Sequence, residues 1–595
     1  MLTRVVAGAS SVIVAVSAVF LSVPPALAAD GILDAPTIPI VRTDGGIVFP
    51  SSYPVQPTLT EVPADAADAS VARGALPFAD IAPALNDLMA ESDYVSAQVI
   101  GQSEQGRDLY LVTVTAPETP AETAQQTVWR DAIKHAPSAA AEDAAIADGY
   151  KLPIWFNANI HGNEWEGTDA TMNYIEQLVD TAAEPEVTDL LASTRLYFTV
   201  TANPDGRFNG TRATSNGYDP NRDFITNATN TTTALRDVTG IIQPTYFVDL
   251  HGYTGILQVE PCGPPHGENY EYDLFLPHAY SAALAVEEAV AEADIPGNTY
   301  DDGAGNPTTT NTGKILIPYR DIREGWDDWP PIFAPQYVAY QGAITNTVEL
   351  PLGRTNDPAT NQFNSAVDTE VAEVVIDSII EYVVENRDPL LSNQIEIFER
   401  GVTGAEQTPI PADVAPEDLA PGVPTEWTDI WDETDIYNAT FPRSYVIPVD
   451  GAQRSRSDAE QLVEQLLVND IEVTRATAPF TAEGTTYPAG TFVVDMHQPL
   501  RGLANVLLAD GTDISDRISA MYDVSAWSLS LLWGADVVSV GDTTDAAITT
   551  AVEDVTTVDL GGSVADGGPY LALEPDGTAE WQAITALLDA DVPLS

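Results

Sequence analysis

Short apolar runs alternate with amphipathic ones between residues 78 and 385, and this alternation constrains the fold more than any other feature. Tyr94 to Ile100 and Leu109 to Thr115 read as strands joined by the turn Gly101-Gln102-Ser103-Glu104-Gln105-Gly106-Arg107. Ile154 to Ile160, Leu196 to Thr201 and Thr245 to Leu250 are further apolar runs of strand length. Helical patterns fall at Ala82 to Met89, Thr168 to Ala182, Ala279 to Ala293 and Val367 to Glu385, with an alanine-rich helical insertion over Ala121 to Ala147. Strands that alternate with helices imply a layered α/β domain with a largely parallel sheet.

A chain of 595 residues exceeds one ordinary core, so two or more domains are expected. Pro409, Pro411, Pro416, Pro421 and Pro424 mark residues 401–426 as a linker. Residues 427–595 then restart as a smaller α/β domain: strand Tyr445 to Val449, helix Ser457 to Val468, strand Glu472 to Ala476, and a turn before Thr491 to Met496. No catalytic constellation is visible there, and its one histidine, His497, reads as structural.

The 24 Lys and Arg against 89 Asp and Glu leave a formal charge of −65. Nucleic acid is an unfavourable partner for such a surface, because phosphate contacts need clustered cations. A single cysteine, Cys262, excludes an intramolecular disulfide framework. At the N-terminus, Arg4, the apolar stretch Val12 to Val23 and Ala26-Leu27-Ala28 have the layout of a secretory signal over residues 1–28. Residues 29–77 form a Pro/Ala-rich leader. No membrane span is expected in the mature chain, which reads as secreted.

Chemistry concentrates at two strand ends. His161-Gly162-Asn163-Glu164 follows the strand Ile154 to Ile160, and residues three apart after a strand end can converge on one ion. Imidazole nitrogen and carboxylate oxygen both suit Zn²⁺. His251 also follows an apolar strand, so two His and one Glu would leave a position open, as catalytic zinc requires. His266 is close enough in sequence to be a rival ligand. Asp301-Asp302-Gly303 resembles a fragment of a calcium loop, although a solvated turn explains it better.

These residues resemble the zinc metallocarboxypeptidases of the carboxypeptidase A/B type over about residues 78–390. His161, Glu164 and His251 match the family's zinc ligands in order. Ile100 to Arg107, Asn203-Pro204-Asp205-Gly206, Arg212, Gly217-Tyr218-Asp219-Pro220-Asn221-Arg222 and Thr347-Val348-Glu349-Leu350 match further motifs in sequence order. The resemblance implies a three-layer α/β/α carboxypeptidase-like domain at 78–400 with a mixed, largely parallel sheet. It also implies one Zn²⁺ and peptide C-termini as substrates. It makes Glu349 the general base and Arg212 the oxyanion stabiliser. Asn221 and Arg222 would hold the terminal carboxylate, and Asp219 would orient the first histidine. Tyr319 would be the phenol that caps the substrate, with Tyr337 and Tyr340 competing for that role. Asp327 would sit at the bottom of the specificity pocket and favour a basic C-terminal residue, unless it is a solvent-exposed acid. Asn163 stands where pancreatic members carry an arginine. Hydrolysis of cell-wall peptide stems and a catalytically inactive binding protein are the alternatives.

Overall fold

The computed structural model describes residues 19–21, 47, 49–261, 269–318, 320–321, 331–408, 440–451, 453–511, 528–558, 571–573 and 575–593. Tyr319, Asp327, His266 and the proline run 409–424 lie outside the described residues, as does the expected signal segment apart from Val19–Leu21. That short strand pairs with Leu571–Leu573.

A seven-stranded mixed sheet organises the N-terminal two thirds. Its strands are β1 (Val95–Gln102), β2 (Asp108–Val114), β3 (Leu152–Ala158), β4 (Thr194–Thr199), β5 (Tyr246–Gly252), β6 (Gln258–Pro261) and β7 (Ile344–Leu350), in the order β1-β2-β4-β3-β5-β7-β6. β4, β3, β5 and β7 run parallel, while β2 and β6 pair antiparallel with the two sides of that block. Every residue of β3 and β4 is buried, so both faces are covered, as a parallel centre requires. The edge strand β1 instead exposes part of its length. Helices α1 (Glu166–Asp180) and α2 (Tyr272–Ala293) each pack against α3 (Pro358–Glu385), and all three pack against the sheet.

Several boundaries differ from the sequence reading for local reasons. α3 begins at Pro358, not Val367, because the Asp357 side chain accepts Thr360 N at 2.9 Å and Pro358 sits at the first helical position. The polar first turns gave no apolar period to read. The alanine-rich insertion is three helices, broken at Ala136-Pro137 and at Asp143. Arg387–Thr403 is helical, so the first residues of the expected linker continue a helix. Residues 50–75, within the expected leader, lie against the sheet: Val55 N donates to Ser96 Oγ at 2.8 Å, and Leu59 is buried.

A second sheet contains β8 (Ser444–Ile447), β9 (Thr474–Ala476), β10 (Phe492–Asp495), β11 (Val538–Val540) and β12 (Val552–Asp554), in the order β11-β8-β10-β9-β12. All its pairings are antiparallel. Helices α4 (Arg456–Val468) and α5 (Arg501–Leu508) accompany it. One hydrophobic cluster runs from Leu59 to Val555 and takes in residues of both sheets. No helix among the described residues is long and apolar enough to cross a membrane.

Candidate active site

The loop that follows β3 is shaped by two residues. Asn159 takes φ 60°, and its Nδ2 donates to the carbonyls of His161 (2.8 Å) and Glu164 (2.9 Å), tying the ends of the His-x-x-Glu loop together. Gly162 lies so close to the Asn203–Gly206 turn that a Cβ there would sit 2.1 Å from the Gly206 carbonyl carbon. This contact accounts for the Asn-Pro-Asp-Gly motif as scaffolding. Asp205, buried in that turn, accepts from Ser103 Oγ and Arg107 Nη1, both at 2.6 Å, so the early turn motif docks on the same point.

The loop brings His161 and Glu164 against His251 of β5. His161 Nδ1 is 3.0 Å from Glu164 Oε1, His251 Nδ1 is 3.1 Å from Glu164 Oε2, and the two Nδ1 atoms are 3.0 Å apart. A tetrahedral ion with ligands at about 2.0–2.1 Å would separate them by about 3.3 Å. The outer ring nitrogens face carboxylates. His251 Nε2 is 2.8 Å from Asp249 Oδ2, and His161 Nε2 is 3.2 Å from Asp219 Oδ1, the latter off the line of a good hydrogen bond. With the ring protons drawn outward, three buried acceptors converge on one point, an arrangement that calls for a cation. Burial disfavours charge on His251, but Asp249 and Glu164 outweigh it and raise its pKa well above the usual value. The donor set of two imidazoles and a carboxylate fits zinc.

Register places the remaining chemistry. Glu349 of β7 is the parallel partner of His251 and the antiparallel partner of Gln258. Burial pushes its carboxyl up to about 7, with the His251 charge opposing and the Glu164 charge adding. Asp219 is buried too, yet His161, Arg212 and Arg222 outweigh that and hold its carboxyl well below the usual range. Arg212 Nε donates to Asp219 Oδ2 at 2.8 Å, and its Nη1 is 3.7 Å from Glu164 Oε1. Asn221 Nδ2 is 3.4 Å from His251 Nε2, and the Arg222 guanidinium lies over the Phe333 ring at 4.3 Å. A cleft of about 220 Å³ is lined by the triad, Arg212, Asn221, Arg222 and Glu349 together.

Tyr337 and Tyr340, the competing phenols, are buried and do not line the cleft; Tyr337 Oη donates to Asn469 Oδ1 at 3.0 Å. The cleft also contains residues that the sequence reading did not single out: Tyr253, Glu260, Phe333 and Gln336. Asp249, which orients His251, was legible two residues earlier on the same strand face. Phe333 and Gln336 carried no signal, because the helix Ala334–Tyr340 that Phe333 precedes is buried along its whole length and shows no amphipathic period.

Part of the chain is similar to known carboxypeptidases. Residues 83–329 match the zinc carboxypeptidase family. The match ends before Glu349, so the matched residues include both histidines and Glu164, while Glu349 stands on register alone. Carboxypeptidase D of Anas platyrhynchos is 43% identical over 76 residues, 11% of this chain and 6% of that protein. Carboxypeptidase 2 of Trichophyton tonsurans is 29% identical over 105 residues, covering 18% of this chain and 19% of that one. The chain spans between 6% and 21% of the length of such curated relatives. Among solved structures, a metallo-carboxypeptidase from Burkholderia cenocepacia aligns with TM-score 0.34 and 18% identity over 51% of this chain and 68% of that one. Bovine thrombin-activatable fibrinolysis inhibitor aligns with TM-score 0.37 and 14% identity over 53% of this chain and 100% of that one.

Proposed function

We propose that the chain is a zinc metallocarboxypeptidase that removes C-terminal residues from peptides. The observation that carries this reading is the meeting of the His161–Glu164–His251 triad with Arg212, Asn221 and Arg222 in one cleft. In a chain with so few cations, two arginines beside a triad mark a place built for an anion. His161, Glu164 and His251 would hold zinc, which when bound supplies Lewis-acid polarisation of the carbonyl and makes water acidic near neutral pH.

The chain's own groups divide the remaining work. Asn221 and Arg222 receive the terminal α-carboxylate; a guanidinium suits it because its planar fork binds two oxygens. Arg212 stands beside Glu164, where its charge stabilises the oxyanion that develops at the scissile carbonyl. Glu349 accepts the proton of the attacking water and returns it to the leaving amine, and the burial that raises its carboxyl strengthens it as a base. Asp249 and Asp219 hold the two imidazoles in the tautomer that leaves each Nδ1 free to ligate.

Export belongs to the same proposal. Arg4, Val12 to Val23 and Ala26-Leu27-Ala28 support cleavage after residue 28, and N-terminal sequencing of the mature protein tests it. The enzymatic reading is tested by hydrolysis of a panel of peptides with free and amidated C-termini, with and without chelator. Release of single residues from free C-termini only, abolished by chelation and restored by zinc, is expected. Cleavage that survives chelation, or that ignores amidation, overturns it.

A further inference from the structure

The wall that would receive the carboxylate consists of two short segments, and both lean on the C-terminal part of the chain. The first is Asp219–Ile225. Asn221 Oδ1 accepts Ala334 N at 2.8 Å, Phe224 N donates to Ile332 O at 3.2 Å, and Ile225 O accepts a buried hydrogen bond from Gln465 Nε2 of α4. The second is the helix Ala334–Tyr340, which has Phe333 just before it and contributes Pro335 and Gln336 to the cleft. Tyr337 of this helix packs its ring 5.3 Å from Phe224 and donates its hydroxyl to Asn469 Oδ1. Asn469 Nδ2 in turn donates to Gln465 O at 2.7 Å. The two segments are thus joined to each other on the cleft side and to one helix end, Gln465–Asn469, on the far side.

The triad has a different footing. His251 and Glu349 lie in the sheet, and the His161–Glu164 loop is tied by Asn159, Asn203 and Arg212. Among the described residues, no side-chain hydrogen bond of the triad involves a residue beyond 408.

We propose that the C-terminal α4 end, through Gln465, Asn469 and Tyr337, is a clamp that positions the carboxylate-binding wall of the cleft. The three side chains are positioning residues: they touch no substrate, and they set where Asn221 and Arg222 stand relative to the triad. Buried hydrogen bonds suit this task, since a buried partner left unpaired costs more than the bond contributes. The inference rests on the carboxypeptidase reading and gives residues 440–593 a role in substrate binding.

The test uses the full zinc-loaded chain and three variants: Gln465→Leu, Asn469→Leu and Tyr337→Phe. The last keeps the ring against Phe224, so it remains informative if a leucine variant fails to fold. Expected is a rise in KM for a peptide with a free C-terminus of roughly five- to tenfold. kcat should stay within about twofold, zinc content should not change, and the Tyr337→Phe and Asn469→Leu effects should not add. Calorimetric binding of an N-acetyl amino acid should weaken in step, while the much weaker binding of its amide should not change. A lowered Tm with unchanged KM in all folding variants overturns the clamp and leaves a structural contact. A joint loss of kcat and zinc overturns it as well. A wild type that neither cleaves nor binds these ligands overturns the carboxypeptidase reading, and the clamp with it. A cleaving wild type with KM-silent variants overturns the clamp alone.

Discussion

The two ends of the cleft are built differently. At the triad end, His251 and Glu349 are neighbours across two hydrogen-bonded strands, and His161 and Glu164 lie on one short loop. At the opposite end, Asn221 and Arg222 stand on a 3₁₀ turn that meets a seven-residue helix more than a hundred positions later, with α4 behind both. The first end inherits its geometry from a sheet; the second is assembled from parts distant in sequence. On the proposed function, the reacting groups stand on the sheet and one short loop, and the recognition groups stand on segments far apart in sequence.

Perturbations should separate along that line. The largest effect is expected from Glu349→Gln, which keeps the shape and removes the base. Turnover should fall by about 10²–10⁴ with zinc retained, and steady-state kinetics beside metal analysis checks this. Retained turnover would move the proton transfer to another group. Next, Asp249→Asn should lower zinc affinity by about 10–100-fold, measured by competition with a chromophoric chelator. Asp219→Asn should cost less, because Asp219 is one quarter exposed and off-line to His161 whereas Asp249 is fully buried. A reversed order would break the assignment of Asp249 as the main orienting carboxylate.

A smaller effect is expected from Gly162→Ala. The added methyl meets the Gly206 backbone, and overpacking of this kind costs about 1–3 kcal/mol. Denaturant unfolding would register it, and zinc affinity should drop with it because the loop shifts. The smallest effect separates the scaffold from the site. Burial lowers the pKa of His278 on α2 to about 4, and its Nδ1 lies 2.9 Å from Tyr382 Oη. Below its ordinary pKa the unfolded chain binds a proton there that the folded chain refuses, so stability falls as pH drops from about 6.5 towards 4. His278→Gln should flatten that part of the stability–pH curve without altering zinc affinity at neutral pH. An unchanged slope would place the acid sensitivity elsewhere.

Legibility followed the same division. The convergence of His161, Glu164 and His251 and the parallel centre of the sheet were readable because strand ends and apolar runs are local signals, whereas Glu349 came only from the family resemblance. Strand boundaries slipped by a residue or two: β3 ends at Ala158, and β5 includes His251. The slip hid the fact that His251 and Glu349 share a rung. The helix Ala334–Tyr340 was not readable. It is buried all round, so no polar face alternates with an apolar one to reveal its period. Asn230–Ile242 was missed for a related reason, since its first turns are threonines with side chains bonded inward, among them Thr229 and Thr232. The clamp of Gln465, Asn469 and Tyr337 left no trace, because hydrogen bonds between residues far apart in sequence obey no spacing rule.

The alignment of His251, Glu349 and Gln258 on one rung has a practical consequence. A slip of one residue in the pairing of β5 with β7 would put His251 and Glu349 on opposite faces of the sheet. No partly registered form of the sheet can therefore be partly active. Recovery of turnover during refolding becomes a stopwatch for correct strand alignment, readable without labels, and a lag between regained secondary structure and regained turnover would measure how long the strands take to find their places.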